Sequence, residues 1–252
     1  MTTGPSDPLR DVYERRAELE YASPPPVPDP ALDRKFERVW QLVSEQLPCG
    51  AFLDAGCGDG RHLAALARSV HRPTRVVGSD ISQRILETAR AAAAPLEPEL
   101  VQANLEALPF AHDSFDLVLC TQVIEHLLDP AAGVRELARV LRPGGRIVLT
   151  TDNQRAFVSK TLNAPRAATV RALRLHPRYR QVDFPHADFT RAEVEALVQT
   201  AGLRVEHAET FRFTLAMPLG RPSVQRALNR IDKALPPHGF GDLLAVVARK
   251  PT

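Results

Sequence analysis

Disulfide chemistry is the first thing this sequence is short of. Three cysteines, Cys49, Cys57 and Cys120, are spread through 252 residues. They are too few and too scattered for a disulfide framework, and neither Cys nor His pairs fall at zinc spacing, so no metal site is expected. Long apolar runs are missing too: no stretch of about 18 or more apolar residues occurs, which excludes a helical membrane span. Residues 1–8 lack the basic-then-apolar layout of a secretory signal. There is no Gly-x-x-x-x-Gly-Lys-Ser/Thr phosphate loop. These absences predict a reduced, cytoplasmic protein that folds without staples.

Lysine is scarce as well. It occurs at positions 35, 160, 233 and 250 only, so arginine supplies nearly all the positive charge. The net charge is +2, but it is unevenly placed. Residues 153–182 hold seven basic side chains and no acidic one, and residues 219–241 hold four basic and one acidic. The rest of the chain is net acidic. With 44% hydrophobic and 25% charged residues, the composition is that of an ordinary globular protein. The length allows one large domain or two small ones.

Residues 1–48 read as a helical appendage. Asp7-Pro8 is a helix start signal, with an acceptor for free N–H groups followed by a residue suited to the first helical position. A charged helix is predicted from there to about residue 20. The proline run at 24–28 must leave it. Asp29-Pro30 repeats the start signal, and Leu32, Phe36, Val39 and Val43 follow at helical spacing. From residue 51 the pattern changes. Short β-rich runs at 51–55, 75–79, 100–103, 115–120 and 145–151 alternate with helical patterns at 62–70, 82–93 and 130–141. A helix at 190–201 and strands near 203–213 and 243–249 complete the chain. Such alternation predicts an α/β fold, a doubly wound, mostly parallel sheet covered on both faces.

The strongest local signal is Leu53-Asp54-Ala55-Gly56-Cys57-Gly58-Asp59-Gly60-Arg61, between a strand and a helix. Glycines there let a ligand approach the backbone, and the helix start offers free N–H groups. Taken alone, the turn fits a structural connection or a dinucleotide loop. The dinucleotide fingerprint, however, wants its third glycine where Arg61 stands. A second strand ends in Ser79-Asp80. A carboxylate there can accept from both ribose hydroxyls, or cap the helix that follows.

With Leu108-Pro109-Phe110, Asp113-Ser114-Phe115-Asp116 and Leu141-Arg142-Pro143-Gly144-Gly145 in the same order, the chain resembles the class I S-adenosylmethionine-dependent methyltransferases. The likeness is to the small-molecule branch that includes quinone- and sterol-methylating enzymes. It is close over residues 51–151 and loose beyond. It implies a Rossmann-like, seven-stranded sheet with an antiparallel edge hairpin, and S-adenosyl-L-methionine as cofactor. It divides the chain into a cap, 1–48, and a catalytic domain, 49–252, with substrate-side insertions at 153–185 and 217–241.

Carried over by position, the resemblance assigns the glycine-turn residues Asp54, Gly56, Cys57, Gly58, Gly60 and Arg61 to the methionine half of the cofactor. Asp80 falls at the ribose and Ile81 on adenine. Asn104 and Leu105 stand where the family often has Asp against the adenine amino group; an Asn oxygen can still accept that bond. Thr121 and Gln122 border the sulfonium. Leu141–Gly145 reads as a structural turn.

Methyl transfer from a sulfonium is an in-line displacement, in which alignment does most of the work. A base matters only where the acceptor must lose a proton. His126, in Glu125-His126, and His186, in Phe184-Pro185-His186-Ala187-Asp188, are the candidates. Tyr13 and Tyr21 can close over the cofactor or simply pack. The Asn/Asp-Pro-Pro-aromatic motif of enzymes that methylate nucleic-acid amino groups is missing, so no nucleic-acid partner is expected. The predicted partner is a small-molecule acceptor, reacting through O, N or C. A non-catalytic cofactor-binding protein and a nicotinamide-dependent oxidoreductase are the alternatives. The basic segments, including a helix carrying Arg226, Arg230 and Lys233 on one face and Val224, Leu228, Ile231 and Leu235 on another, read as a solvated lid or as a surface for an anionic, carrier-bound or lipid-like acceptor.

Overall fold

Alternate side chains of the central strands enter opposite apolar layers, as a pleated strand requires. Along β1 (Ala51–Ala55), Ala51, Leu53 and Ala55 join one layer and Phe52 the other. Along β7 (Leu243–Arg249), Leu244, Val246 and Ala248 face one way, and Leu243, Ala245 and Val247 the other. A sheet apolar on both faces must be covered twice, and it is. The computed structural model describes residues 7–20, 33–156, 186–211, 222–234 and 241–252. Among them, α2 (Arg34–Ser44), α3 (Arg61–Leu66) and α4 (Gln83–Ala92) cover one face, and α5 (Pro130–Val140) and α6 (Arg191–Thr200) the other.

The sheet has seven strands in the order β3-β2-β1-β4-β5-β7-β6. They include β2 (Arg75–Asp80), β3 (Glu99–Gln102), β4 (Phe115–Thr121), β5 (Leu141–Asp152) and β6 (Arg204–Phe211). β1 pairs in parallel with β2 and β4, and β7 runs antiparallel between β5 and β6. This is the predicted doubly wound sheet with an antiparallel edge pair, β6 and β7. α7 (Pro222–Ala234) lies between those two strands in the chain. No helix among the described residues is long and apolar enough to cross a membrane.

Side-chain caps set most helix starts. Ser82 accepts from the Ile85 N–H, Asp129 from Ala132, and Thr190 forms a reciprocal capping box with Glu193. α1 (Pro8–Glu20) starts at the predicted Asp7-Pro8 signal. α2 does not start at Asp29-Pro30. Its cap is Asp33, whose carboxylate accepts from the Phe36 N–H at 3.0 Å, a local bond that the earlier Asp cannot make to that turn. The predicted fifth strand also begins too late. β5 starts at Leu141, because Phe115 pairs with Leu141 and Leu117 with Arg146, leaving the Arg-Pro-Gly-Gly stretch as a bulge inside the strand. Tyr21, Leu32, Leu235 and most of the predicted 153–185 insertion lie outside the described residues. In α7 the expected apolar face is not buried throughout: Ile231 is 58% exposed, while Asn229 is buried.

Candidate functional site

Strand order reverses between β1 and β4, and the crevice at their carboxyl ends is where open α/β sheets bind ligands. A cavity of about 400 Å³ occupies it. Every strand from β1 to β5 delivers residues there: Gly56–Asp59 and Arg61 follow β1, Asp80 ends β2 and Ile81 follows it, Asn104 and Leu105 follow β3, Thr121 ends β4 and Gln122 follows it, and Asp152 ends β5. α1 closes it with Leu9 and Tyr13, and α2 contributes Lys35. Of the predicted cofactor residues, Asp54 and Gly60 alone are not on the cavity wall. Gly60 instead packs on Ala89 of α4, where a side chain would clash with that residue's backbone at 2.7 Å.

The glycine turn is tight and already bonded. Gly56 has φ +76°, and a Cβ there would lie 2.3 Å from Val123, so only glycine fits. The N–H groups of Gly56 and Cys57 both donate to the Ser79 carbonyl, at 2.7 and 2.8 Å. Gly58 donates to Asp80 Oδ2 at 3.0 Å, and Arg61 to Asp59 Oδ1 at 3.2 Å. Asp80 Oδ1 accepts from the Ser82 N–H at 3.1 Å. Asp80 thus ties the glycine turn to the start of α4, although the cap of that helix is Ser82, not Asp80. Each carboxylate oxygen keeps a lone pair for a further donor.

Three carboxylates, those of Asp54, Asp59 and Asp80, gather at this end. Asp59 is neutralised by Arg61, whose Nε donates to it at 2.9 Å. Asp54 is 1% exposed and neither oxygen has a partner. Burial, and then the charges of Asp59 and Asp80, push its carboxyl up to about 8. Burial also raises Asp80, against the pull of its backbone N–H bonds. A buried acceptor lined up this way calls for a cation. His62 lies alongside, stacked on Phe36 with ring centroids 5.3 Å apart; burial pulls it down to about 3, so it stays neutral.

At the opposite end α1 is pinned by two carboxylates. Asp7 Oδ2 accepts from Asn104 Nδ2 at 3.0 Å, while Asn104 Oδ1 accepts from the Glu106 N–H at 3.0 Å. The Asn104 side chain is therefore held with its oxygen already in use, though able to accept once more. Glu14 accepts from Ser82 Oγ at 2.9 Å and from the Gln83 N–H at 2.6 Å, taking donors at the free end of α4.

Beyond Thr121 and Gln122 the wall turns protic. A short 3-10 turn, Ile124–His126, places Glu125 and His126 on the cavity, and His186 joins them from the segment before α6. The two imidazoles lie 5.3 Å apart, Tyr13 meets His126 edge-on at 6.3 Å, and His186 Nε2 is 3.7 Å from both Asp152 and Asp188. Gln122 has φ +55°, and its buried Nε2 has no partner.

These facts separate two ligand classes. A dinucleotide pyrophosphate needs free N–H groups at the glycine turn and no fixed anions beside it. Here the N–H groups of Gly56, Cys57, Gly58, Gly60 and Arg61 are bonded within the protein, and Asp54, a buried carboxyl without a partner, stands in the strand before them. An ammonium group brought to Asp54 would supply the partner its oxygens lack, and ribose hydroxyls would suit the remaining lone pairs of Asp80. The residues present therefore fit S-adenosylmethionine.

Comparison with known proteins gives the same answer. Residues 53–149 match the family described as a methyltransferase domain. Methyltransferase GfsG of Streptomyces halstedii is 31% identical over 238 residues, covering 92% of this chain and 79% of that protein. The chain belongs to the S-adenosylmethionine-dependent methyltransferases. A ubiquinone biosynthesis O-methyltransferase of Xylella fastidiosa is 31% identical over 68% of each chain. A probable S-adenosylmethionine-dependent methyltransferase of Mycolicibacterium smegmatis is 35% identical over 69% of this chain and 59% of that one. One chain of the complex between the Haloferax volcanii Trm112 methyltransferase activator and a methyltransferase shares the fold. It is 18% identical, with a TM-score of 0.61, covering 99% of this chain and 100% of that one. The chain spans 41–59% of the length of the first curated relatives it matches.

Two of the blocks that carry the methyltransferase resemblance lie at the far end of the sheet and do not line the cavity. Arg139 donates to the carbonyls of Phe110 and Leu108 at 2.8 and 3.0 Å. Asp116 accepts from the Ala51 N–H at 2.7 Å and from Arg142 at 2.9 Å. Conversely, Leu9, Lys35, His62, Glu125 and Asp152 line the cavity without having been singled out in the sequence as site residues. Glu125 and Asp152 had a signal, since each follows a strand end on the ligand side; Lys35, on a helix remote in sequence, had none.

Proposed function

We propose that this chain transfers a methyl group from S-adenosylmethionine to a small-molecule acceptor, with His126 and His186 as the catalytic residues that hydrogen-bond the attacking group. The observation that carries this is the protic cluster of His126, His186, Asp152 and Glu125 on the wall of the same cavity as Thr121 and Gln122. When bound, the cofactor supplies an activated methyl and a neutral leaving group. The protein supplies the rest. Asp54 holds the amino group, and Asp80 holds the ribose. Ile81 and Leu105 pack on adenine, and α1 excludes water. Cys57, Gly58 and Arg61 shape the methionine end.

The acceptor end is rich in carboxylates, which suits an attacking atom that bears a proton. The described basic side chains of α7 are not on the cavity wall. Arg226 and Arg230 are exposed on α7, and Lys233 pairs with Glu37 of α2, whose first turn carries Lys35 to the cavity. An anionic, carrier-bound or lipid-like remainder of the acceptor meets the protein there. Residues 1–48 act as a cap on this site, and 153–185 and 217–241 as its substrate-side elements.

The test is transfer of a deuterated methyl from the cofactor into a small-molecule extract, read by mass. His126→Ala and His186→Ala should each slow transfer by about 10²–10⁴-fold, the usual worth of positioned acid–base groups, with cofactor affinity unchanged. Cofactor binding with no labelled product would favour a non-catalytic binding protein.

A further inference from the structure

We propose that Glu125 is a further catalytic residue of this site: its carboxylate holds the acceptor's protic group beside the transferring methyl and takes the proton that group sheds. The inference rests on the methyltransferase reading above.

Glu125 is 1% exposed, yet it forms part of the cavity wall. Burying a carboxylate is costly unless it is well bonded, so its presence needs a reason. Three pieces of the chain fix it. Its Oε2 accepts from Thr151 Oγ1 on β5 at 2.8 Å. Its backbone carbonyl accepts from the Ala187 N–H at 2.8 Å, which clamps the segment carrying His186. The 3-10 turn Ile124–His126 supplies the third constraint. The packing alone could be met by a neutral amide, which would still accept from Thr151. A carboxylate adds charge, and that charge lies at the inner wall while the side chain of His186 is 43% exposed.

The groups around Glu125 are Asp152 on β5, Lys35 on α2, Cys120 on β4, and His126 and His186. Desolvation raises its carboxyl to about 7; a bond from its own backbone N–H, then Thr151 and, last, Lys35 pull the other way, while the Asp152 charge adds to the rise. The charge of Glu125 in turn helps raise the buried Cys120 thiol, after burial itself. A carboxylate poised near neutral pH can both receive a proton and release it.

The step balances as follows. The lone pair of the attacking oxygen or nitrogen bonds to the methyl carbon while the carbon–sulfur bond breaks and its pair stays on sulfur. The proton lost from that O–H or N–H moves to a Glu125 Oε, giving a neutral carboxylic acid. It passes to solvent as product leaves. The acceptor class is therefore one that presents a hydroxyl or an amine.

Two cofactor analogues test this without knowledge of the acceptor. S-adenosylhomocysteine has nothing at the methyl position; sinefungin carries an amine there. Both meet Asp54 alike, so their difference isolates the acceptor end. Calorimetry at pH 7 in two buffers of different ionisation enthalpy counts the protons released. The wild-type chain should bind sinefungin more tightly and release more protons with it, because an ammonium draws Glu125 into its charged form. Glu125→Gln should keep S-adenosylhomocysteine affinity within twofold, lose at least tenfold of the sinefungin preference, and abolish the extra release. Should that variant not fold, Thr151→Val serves. Without the hydroxyl the extra release should move to higher pH, and an unmoved profile would overturn the proposal. Preference and release both retained in Glu125→Gln would overturn it too, assigning the proton to the other groups. Failure of the wild type to bind either analogue would instead overturn the methyltransferase reading.

Discussion

Asp54 is a buried carboxyl without a partner, a liability to the fold, and in the proposed function it holds the cofactor's amino group. In an unfolded chain its pKa is about 4; folding lifts it to about 8. Between those values the folded chain holds a proton that the unfolded chain has shed. The stability due to this group is therefore complete below about pH 4 and is lost as pH rises toward 8. Asp54→Asn should raise the melting temperature of the ligand-free chain at pH 8–9, by about 2–4 °C for each kcal/mol recovered. It should also weaken S-adenosylhomocysteine binding by about 3–5 kcal/mol, the cost of breaking a buried ion pair. An unchanged melting temperature with unchanged affinity would remove Asp54 from the site. Asp80 is different, because its oxygens already serve the Gly58 and Ser82 N–H groups. Asp80→Ala should cost both cofactor affinity, by about 2–4 kcal/mol, and ligand-free stability, by about 1–3 kcal/mol, since two backbone donors lose their partner. Calorimetry and thermal melting separate the two losses. The sequence offered ribose contact and helix capping as alternatives for this residue. The structure gives the cap to Ser82 and has the carboxylate link two loops that are 22 positions apart, and the ribose contact remains a proposal.

At the scale of elements, the legible parts were those whose cause is local. Strand alternation, the helices that follow Asp129 and begin near Thr190, and the Asp7-Pro8 start are each written within a few residues. The misread parts depend on distant partners. Asp29-Pro30 has the composition of a helix start, but Asp33 is the residue that meets the first turn of α2. The β5 bulge exists because β4 pairs on both sides of it. The closing of α1 over the cavity was one of the two readings offered for Tyr13, which lines it, but the bonds that dock the helix were not legible, because Glu14 reaches donors at Ser82 and Gln83. That docking has a measurable consequence. Glu14→Ala should loosen α1 and speed S-adenosylhomocysteine release by about 10-fold or more, in line with about 1.5–3 kcal/mol for hydrogen bonds to a charged group. Stopped-flow dissociation reads it, and an unaltered rate would mean that α1 does not gate the cofactor.

For the molecule as a whole, charge is sorted by task. Asp59, Asp80, Glu125 and Asp152 line the cavity, and Asp54 is buried in β1 just before the glycine turn. The described arginines of α7 face outward, where charges are screened over about 8–10 Å at ordinary ionic strength. Formal charge totals conceal this division, and no local motif announces it. It nonetheless suits the glycine turn to the ammonium of a methionine end and not to a pyrophosphate. A calorimetric titration with S-adenosylhomocysteine and with NADH, in parallel, at pH 7 in two buffers decides between them. Micromolar-range binding of S-adenosylhomocysteine with release of a proton from Asp54, and no binding of NADH, is the expected result. Tight binding of NADH, with none of the sulfur nucleoside, would contradict it.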